Sequence, residues 1–499
     1  MEKKVFSKWR DRLWPIEVFE LRKIVPLLLI KFFISFNYSI LASLKDTFIV
    51  TERGSGAEVI PVLKGWIVLP IALLTTLLFS KLSNIYKRST LFYGIICFFT
   101  LFFLIFAFGL YPHKEFLSPH ASADYLVERF GDQYSHWIAI YRNWIQTLFF
   151  IFAELWGSVC FFLLFWGFCN QINTLNEAKR YYTLFVAAGD VGTFCTGPLV
   201  GHYAIKYAQS SYVFTLQSLV GYLTLFGLVV MALHWWLGRY VLTDVRYYDP
   251  SKCGKEEEKT KLSLWQGMKL IASSKYLRYL AILVLGYGLA INLVEVSWKA
   301  TLKLQFPSPS EYQAFYGMIT ACVGLVSLFT AFFVGGGIIR FFGWHFSAQI
   351  TPIVVGTTGL AFLGLLFFKD SIPGGFSSML FFLVLLGSFQ SVISKVAKYT
   401  FFDPTKEMAF IPLDKESKVK GKAAIDVIGS RLGKSGSAWI QLIFMQVAAT
   451  SSVLSITHYL IPFIGFTVFY WIFSVKNLNK LFLQKSEEQK AIDAPAQTV

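Results

Sequence analysis

The sequence contains few charged residues. Asp, Glu, Lys and Arg make up 15% of its 499 residues, whereas soluble proteins average about 25%. Hydrophobic residues make up 55% of the chain, the mean hydropathy is +0.54, and apolar runs long enough to cross a bilayer recur throughout. This composition excludes a disordered chain, a coiled coil and an ordinary soluble enzyme, and it indicates an integral membrane protein.

Cysteine, histidine and catalytic motifs are also scarce. The six cysteines form no CxxC pair, the seven histidines include no pair four residues apart, and no DxD motif occurs. A disulfide framework, a metal site and a cofactor are therefore not predicted. We expect the protein not to be an enzyme, with a membrane-embedded transferase acting on a phosphorylated lipid as a remote alternative.

Twelve segments of the chain read as membrane-spanning helices. They lie at about 24–41, 62–80, 91–110, 145–166, 182–204, 212–237, 279–298, 314–334, 350–368, 378–393, 423–449 and 454–473. The longest loop separates the first six from the last six. The predicted fold is therefore an all-α integral membrane protein with two six-helix halves, the layout of major-facilitator-type transporters.

Basic residues are distributed unevenly between the two sides of these spans. Of 46 Lys and Arg residues, 33 fall on the side of the N-terminus and 9 on the opposite side. By the positive-inside rule, both termini are predicted to be cytoplasmic. The predicted organisation is a cytoplasmic N-terminal segment at 1–23, helical halves at 24–237 and 279–473, a cytoplasmic linker loop at 238–278 and a cytoplasmic tail at 474–499.

Several ionisable residues lie inside or beside the predicted spans, where a charge costs roughly 2.5 to 3.5 kcal/mol unless it is paired or hydrated. In the first span, Lys31, Ser35, Tyr38 and Lys45 recur at helical spacing and form one polar stripe. Two structural alternatives stay open: Lys31 extends to the membrane edge, and Lys45 pairs simply with Asp46 at the end of the span.

The fourth and seventh spans carry carboxylates. Glu154 lies deep in the fourth span, and a structural salt bridge to another span is its alternative interpretation. In the seventh span, Asn292, Glu295 and Lys299 share one face. Glu295 and Lys299 either satisfy each other as residues four apart or line a water-filled cavity.

The eleventh predicted span, 423–449, is the least apolar. It contains Arg431 and Lys434 and is interrupted by three glycines, which suits a binding site near the middle of the membrane. A short re-entrant segment is the alternative. Together with Lys64 in the second span, the embedded charge is mostly positive and predicts an anionic cargo, for which phosphate compounds are good candidates.

Nine short segments of distinctive sequence are spread along the chain. They are LKDT at 44–47, GSGAEVIP at 54–61, AELWG at 153–157, FWGFCNQ at 165–171, NEAKR at 176–180, NLVEVSWK at 292–299, IPLD at 411–414, KGKAA at 420–424 and LGKSG at 432–436. In this order they resemble the ATP/ADP translocase family of obligate intracellular bacteria and plastids, over about residues 14–479. One departure is Cys169, which stands where Ala is usual.

The resemblance implies a nucleotide transporter, most simply an antiporter that imports ATP in exchange for ADP by alternating access. Proton-coupled import of nucleoside triphosphates and exchange of NAD for ADP are the alternatives within the family. The implied partners are ATP and ADP, with other nucleoside triphosphates, phosphate or NAD as further candidates, and membrane lipid. We expect a monomer that binds no nucleic acid, in the inner membrane of an obligate intracellular bacterium.

The resemblance also implies roles for four charged residues, Lys45, Glu154, Glu295 and Lys434, which are among those that the cost of burying charge singles out. The predicted phosphate ligands are Lys45, Lys434, Arg431 and Lys64. The residues predicted for gating and charge coupling are Glu154, Glu295 and Lys299. The predicted nucleoside contacts are Asn170 and Asn292.

Overall fold

A computed structural model of the chain describes residues 16–249, 264–370, 375–413, 421–425 and 430–493. These residues form helices joined by short connections, with no β-strand among them. Eleven helices in this part of the chain are long and apolar enough to cross a membrane. They are α1 (Val18–Thr51), α2 (Val59–Ile85), α3 (Arg88–Leu110), α4 (Trp144–Ile172), α5 (Arg180–Lys206), α6 (Tyr212–Tyr240), α7 (Lys275–Gln305), α8 (Pro309–Val334), α9 (Ile338–Phe367), α10 (Met379–Ala409) and α12 (Thr457–Glu488).

The remaining long helix, α11 (Ser430–Val447), corresponds to the predicted span at 423–449. It is not among the eleven apolar helices, because Arg431, Lys434 and several small polar residues occupy its first half. It nevertheless packs inside the bundle, against α7 on one side and α2 on the other. The all-α membrane fold predicted from the apolar runs is confirmed, while residues 426–429 of the predicted span lie outside the described residues.

Two predicted spans end too early. The first was predicted to end at 41 and the tenth at 393, but α1 continues to Thr51 and α10 continues to Ala409. The added turns contain Lys45 and Asp46 in α1 and Lys395 in α10. Hydropathy ends a span at such charges, whereas the folded chain pairs them with opposite charges and lets the helix continue.

Shorter helices lie between the spans. Three of them, Lys114–Leu117, His120–Phe130 and Ser135–Arg142, separate α3 from α4. Within the predicted linker loop at 238–278, the described part includes the helix Leu264–Ser273, and residues 250–263 lie outside the description. In the predicted tail, the last long helix continues to Asp493, whereas residues 494–499 are not described.

Each half packs around its first helix. In the first half α1 lies against α5, α6 and α4, and in the second half α7 lies against α12, α11 and α10. The halves meet mainly where α5 runs along α8 and where α2 crosses α11. A side chain at Gly324 of α8 would lie 2.6 Å from the backbone nitrogen of Phe194 in α5, so this helix pair depends on a small residue to approach so closely.

The buried core shows which end of the bundle is sealed. One cluster of buried apolar residues belongs to the first half and another to the second. A third cluster joins the halves and includes Ile49, Ile60, Leu302 and Tyr312. These residues lie where α1 leads into α2 and α7 leads into α8, which we call the α1–α2 end. The opposite end, where α1 begins and α12 finishes, is called the terminal end.

Three spans contain π-helical segments close to ionisable residues. They are Leu63–Val68 in α2, Gly157–Trp166 in α4 and Lys398–Phe402 in α10. The wider turn shifts the direction of side chains relative to a regular α-helix, and such segments are frequent at functional sites. In this fold they lie at or next to Lys64, Glu154 and Lys395.

Candidate functional site

A buried ion triplet joins α1 to α4. Lys45 Nζ lies 3.0 Å from Glu154 Oε1 and 3.1 Å from Asp46 Oδ1. Lys45 and Asp46 are adjacent in sequence and lie deep in the bundle, where they are 5% and 1% exposed. The predicted pairing of Lys45 with Asp46 is present, but it lies inside the continued helix and not at the end of a span.

Asp46 also connects the two halves. Its Oδ2 lies 2.8 Å from Lys299 Nζ of α7 and accepts a hydrogen bond of 3.0 Å from the Tyr316 hydroxyl of α8. The side chains of both Asp46 and Lys299 are 2% exposed. A carboxylate of the first half is therefore held by a cation and a phenol of the second half, with water largely excluded.

The ion pairs continue into α10. Lys299 Nζ lies 3.5 Å from Glu295 Oε1, one helical turn away, and Lys395 Nζ approaches the same oxygen at 3.4 Å. The predicted pair of residues four apart is thus present, although Lys299 lies closer to Asp46 than to Glu295. The result is a chain of six alternating charges, which are Glu154, Lys45, Asp46, Lys299, Glu295 and Lys395.

Two further lysines lie beside this chain. Lys64 of α2 donates a 3.2 Å hydrogen bond to Asn292 Oδ1 of α7, and its carbonyl accepts one of 3.2 Å from Ser435 of α11. Lys434 of α11 is exposed, and both Lys64 and Lys434 act electrostatically on Glu154. We call these two lysines and the six members of the chain the central cluster.

The glycines of α11 let it approach α7 closely. A side chain at Gly288 would lie 2.8 Å from the Cα of Gly433, so the two helix backbones touch at this point. Lys434 follows directly, and its position therefore depends on this contact. The neighbouring Arg431 donates a 3.1 Å hydrogen bond to the Thr76 hydroxyl of α2, which makes it a second link between α11 and the first half.

The two predicted nucleoside contacts are in different places. Asn292 lies in the central cluster, where its amide nitrogen donates to the Gly288 carbonyl at 2.8 Å and its oxygen accepts from Lys64. Asn170 lies near the end of α4, sixteen residues after Glu154, or about 24 Å along a helix. Its oxygen accepts a 2.5 Å hydrogen bond from the Tyr182 hydroxyl. The structure does not bring Asn170 to the central cluster.

Sequence reasoning overlooked Asp46, Lys395 and Tyr316. Asp46 was interpreted as the partner in a simple edge pair, and Lys395 was counted with the loop lysines because its span was predicted to end at 393. The available signal was spacing, since Lys395 lies two residues beyond the end of the predicted span, with no Gly or Pro in between. Tyr316 carried no comparable signal, because tyrosines are common throughout this chain.

The cluster has an unbalanced charge. It contains five lysines and three carboxylates, so its formal net charge is +2. Lysines of this kind are point charges suited to phosphate oxygens. The carboxylates already accept from lysines, and no group of three His, Cys, Asp or Glu residues in the described part of the chain is arranged to hold a metal ion. The arrangement is suited to binding a polyanion between the halves.

Comparison with known proteins gives a consistent result. The sequence model of the TLC ATP/ADP transporter family matches residues 1–482. ADP,ATP carrier protein 1 of Chlamydia muridarum is 42% identical over 508 residues, covering 99% of this chain and 95% of the relative. ADP,ATP carrier protein 1 of Rickettsia prowazekii is 38% identical and covers 95% of this chain and 96% of its own length. The chloroplastic ADP,ATP carrier protein 1 of Arabidopsis thaliana is 41% identical, covering 96% of this chain and 77% of its own.

Solved structures are similar in fold. The nucleoside transporter NupG superposes with a TM-score of 0.59 at 10% identity, covering 90% of this chain and 99% of its own. A bacterial homologue of the iron transporter ferroportin, described as inward-facing, superposes with a TM-score of 0.54 at 11% identity, covering 94% of this chain and 100% of its own. At such identities the likeness establishes the transporter fold and nothing about cargo.

Proposed function

Because the chain belongs to the TLC ATP/ADP transporter family, we propose that it exchanges ATP for ADP across a membrane by alternating access of the central cluster to the two sides. The cluster lies between the two halves, as the shared site of a rocking transporter must. The relatives named as ADP,ATP carriers cover nearly the whole chain, which supports exchange over proton-coupled import or NAD exchange.

The observation that carries the proposal is the central cluster, in which Lys64 and Lys434 add two positive charges to a chain of six whose own charges balance. A purely structural network buried in lipid surroundings would be expected to balance its charges, because an unpaired ion is costly there. This one retains a net positive charge and crosses the boundary between the halves. A polyphosphate would supply the missing negative charge.

Four residues are proposed as phosphate ligands. Lys434 is exposed and Lys64 is held only by an amide oxygen in the described contacts, so both have donors left for phosphate. Arg431 has a buried guanidinium nitrogen without a hydrogen-bond partner, which gives it a donor to offer. Lys45 would join them by exchanging its carboxylate partners for phosphate oxygens.

Three residues are proposed to couple occupancy to movement. In this conformation Glu154 holds Lys45 at 3.0 Å, and Glu295 holds Lys299 and Lys395. Arriving phosphate competes for Lys45 and weakens its hold on Glu154 and Asp46. Because Asp46 is also bound to Lys299 of the other half, a change at Lys45 reaches the contact between the halves directly.

The described contacts favour closure at the α1–α2 end. Between the cluster and that end, Asp46 meets Lys299 and Tyr316, Tyr212 donates to Gln313, and the Lys303 ammonium donates to the Ser55 carbonyl. Each of these contacts joins the halves. We propose that the site faces the terminal end in this conformation, and that rocking breaks these contacts to expose it at the α1–α2 end.

The moving bodies, the oligomeric state, the orientation in the membrane and the nucleoside contacts are also proposals. The two moving bodies are taken as residues 24–237 and 279–473, acting as a monomer, with 1–23, 238–278 and 474–499 on the cytoplasmic side of a bacterial inner membrane. The distribution of basic residues supports this orientation. Asn292 is proposed as a nucleoside contact because it lies in the cluster, and the proposed contact at Asn170 would require a nucleotide bound farther toward the terminal end.

Exchange has an electrical signature. ATP with four negative charges and ADP with three differ by one, so one net charge crosses the membrane in each cycle. One elementary charge corresponds to roughly 2.3 kcal/mol per 100 mV. Uptake of ATP against ADP should therefore respond to an imposed membrane potential, and equal rates with and without a potential would count against this stoichiometry.

Transport in proteoliposomes tests the function. Vesicles are preloaded with ADP or left empty, and uptake of labelled ATP is followed with and without a protonophore. We expect uptake into loaded vesicles only, insensitivity to the protonophore, and recovery of chemically intact ATP inside. Uptake into empty vesicles that collapses with the protonophore would establish proton-coupled import, strong competition by NAD would favour NAD exchange, and conversion of the label would indicate a transferase.

A further inference from the structure

Helix α1 is buried or half-buried along its inner length except at one residue. From Ile30 to Val50 the exposed side chain is Tyr38, at 38%, while its neighbours Asn37 and Ser39 are 0% and 5% exposed. Tyr38 belongs to the same polar stripe as Lys45, seven residues earlier and therefore about 10 Å closer to the terminal end. An aromatic ring is thus presented two helical turns from Lys45 of the proposed phosphate site.

The space in front of Tyr38 lies between the halves. The phenol interacts electrostatically with Lys45 and Glu154 of the first half and also with Glu295 and Tyr399 of the second half. A side chain facing the lipid on the outside of the bundle would not be near ionisable groups from both halves. Tyr399, in α10, is itself 40% exposed.

The Tyr38 ring is held in place from behind by α4. A side chain at Gly157 would lie 2.7 Å from the Tyr38 Cε2 atom, so the ring rests directly on the backbone of that glycine. The Phe161 ring lies beside it at 6.2 Å between centroids. The Cε2 edge of the Tyr38 ring is therefore held against α4, and the exposed part of the ring is available to a ligand.

The geometry points to a second subsite: we propose that Tyr38 is the stacking platform for the base of the transported nucleotide. The inference rests on the proposed function, because it takes the phosphates to be held near Lys45 and Lys434. A nucleotide anchored there extends its ribose and base away from the lysines. The sealed α1–α2 end leaves no room in that direction, so the base extends toward the terminal end and reaches the Tyr38 ring.

The physical role of the ring is affinity. A base stacked on an aromatic side chain contributes about 1 to 3 kcal/mol, which corresponds to about 5- to 150-fold in affinity. Every base has a π-face, so the platform favours nucleotides over inorganic polyphosphate and discriminates weakly among bases. Selection between adenine and the other bases must then come from polar groups around the ring edge.

Competition against labelled ADP uptake tests the platform. The inhibitors are ATP and inorganic tripolyphosphate, which has the phosphates but no base, and the variants are Tyr38→Ala, Tyr38→Phe and Gly157→Ala. For Tyr38→Ala we expect the ATP concentration that halves uptake to rise about 5- to 150-fold, with tripolyphosphate changed less than twofold. Tyr38→Phe keeps a ring and should behave as wild type, whereas Gly157→Ala pushes the ring and should weaken ATP selectively.

A direct contact measurement accompanies the competition, since Tyr38→Ala can also impair folding or tripolyphosphate can fail to bind. Photolabelling of the wild-type protein with 8-azido-ATP, whose reactive group is on the base, should modify Tyr38 or the adjoining Gly157–Phe161 segment, and unlabelled ATP should suppress it. Labelling elsewhere, or equal weakening of ATP and tripolyphosphate by Tyr38→Ala, would overturn the platform. Absence of ATP/ADP exchange by the wild-type protein would instead overturn the proposed function.

Discussion

Two charged clusters among the helices of this fold have opposite properties. The helix-start cluster, Glu20, Lys23, Glu177 and Arg180, joins the beginnings of α1 and α5 within the first half. Arg180 donates to both oxygens of Glu20 at 2.9 and 2.5 Å, and Lys23 lies 2.9 Å from Glu177. Two cations meet two carboxylates, so the formal charge is zero. The central cluster has a net charge of +2 and crosses between the halves.

The difference separates two uses of buried charge. A balanced network within one rigid half fixes the register of two helices, and no step of transport needs to open it. In the proposed mechanism, a cluster with excess lysines between the two halves needs an anion to balance it, and its contacts change partners as the halves rock. Under that proposal, charge imbalance together with position between the halves marks a substrate site better than burial alone.

Removing Lys434 should produce the largest loss of transport. Its exposed ammonium is proposed to bind phosphate, and a hydrogen bond to a charged group contributes about 1.5 to 3 kcal/mol, or about 10- to 150-fold in affinity. Lys434→Ala should raise the apparent KM for ATP by this factor in proteoliposomes, with the melting temperature unchanged. Lys434→Arg keeps the charge and should recover part of the affinity. Normal ATP affinity in Lys434→Ala would remove this residue from the phosphate site.

Asp46 should control coupling more than affinity. In Asp46→Asn the carboxylate that holds both Lys45 and Lys299 is lost, so the contact between the halves weakens. A coupling free energy of about 1 to 3 kcal/mol would shift the balance between the two orientations by about 5- to 150-fold. We expect uptake of ATP into vesicles without internal nucleotide, which the wild-type exchanger should not show.

Accessibility of the sealed end provides the structural measurement for Asp46. A cysteine at Ser55, in a background without the six native cysteines, should react slowly with an impermeant maleimide in the wild-type context and faster with Asp46→Asn. Adding Lys299→Met removes the buried cation that has lost its nearer carboxylate partner, and it should restore part of the stability without restoring coupling. Unchanged labelling together with strict exchange in Asp46→Asn would show that this ion pair is only structural.

These two residues also show how far the sequence can predict the site. Lys434 was predicted because an ionisable residue inside an apolar span is costly wherever the helix packs. The same argument identified Lys45, Glu154 and Glu295, and all four lie in the central cluster. The number of helices and their apolar character could likewise be predicted from runs of apolar residues, since the surface of each helix faces either lipid or the other helices.

The connections between these charges were not predictable in the same way. Asp46 was assigned to an edge pair because hydropathy ended the first span at 41, and Lys395 was assigned to a loop for the same reason. Whether a helix continues through a charge depends on the partner that the fold supplies, and the partners of Asp46 and Lys395 are on α7. Those contacts are set by the packing of helices far apart in sequence.

Arg180→Gln in the helix-start cluster should have the smallest effect on transport. Glu20 is buried and would lose its bidentate partner while keeping the Tyr181 hydroxyl at 2.7 Å, so we expect a loss of stability of about 1 to 3 kcal/mol and a lower melting temperature. The KM for ATP should stay within twofold of wild type. The stabilisation that saturating ATP gives, measured as the rise in melting temperature, should also be retained, because ligand binding to the folded state adds independently of this pair.

In Lys434→Ala the pattern should reverse, with a normal melting temperature and a small response to ATP. If Arg180→Gln lost its response to ATP while remaining folded, the balanced cluster would take part in transport and charge imbalance would no longer distinguish the two regions.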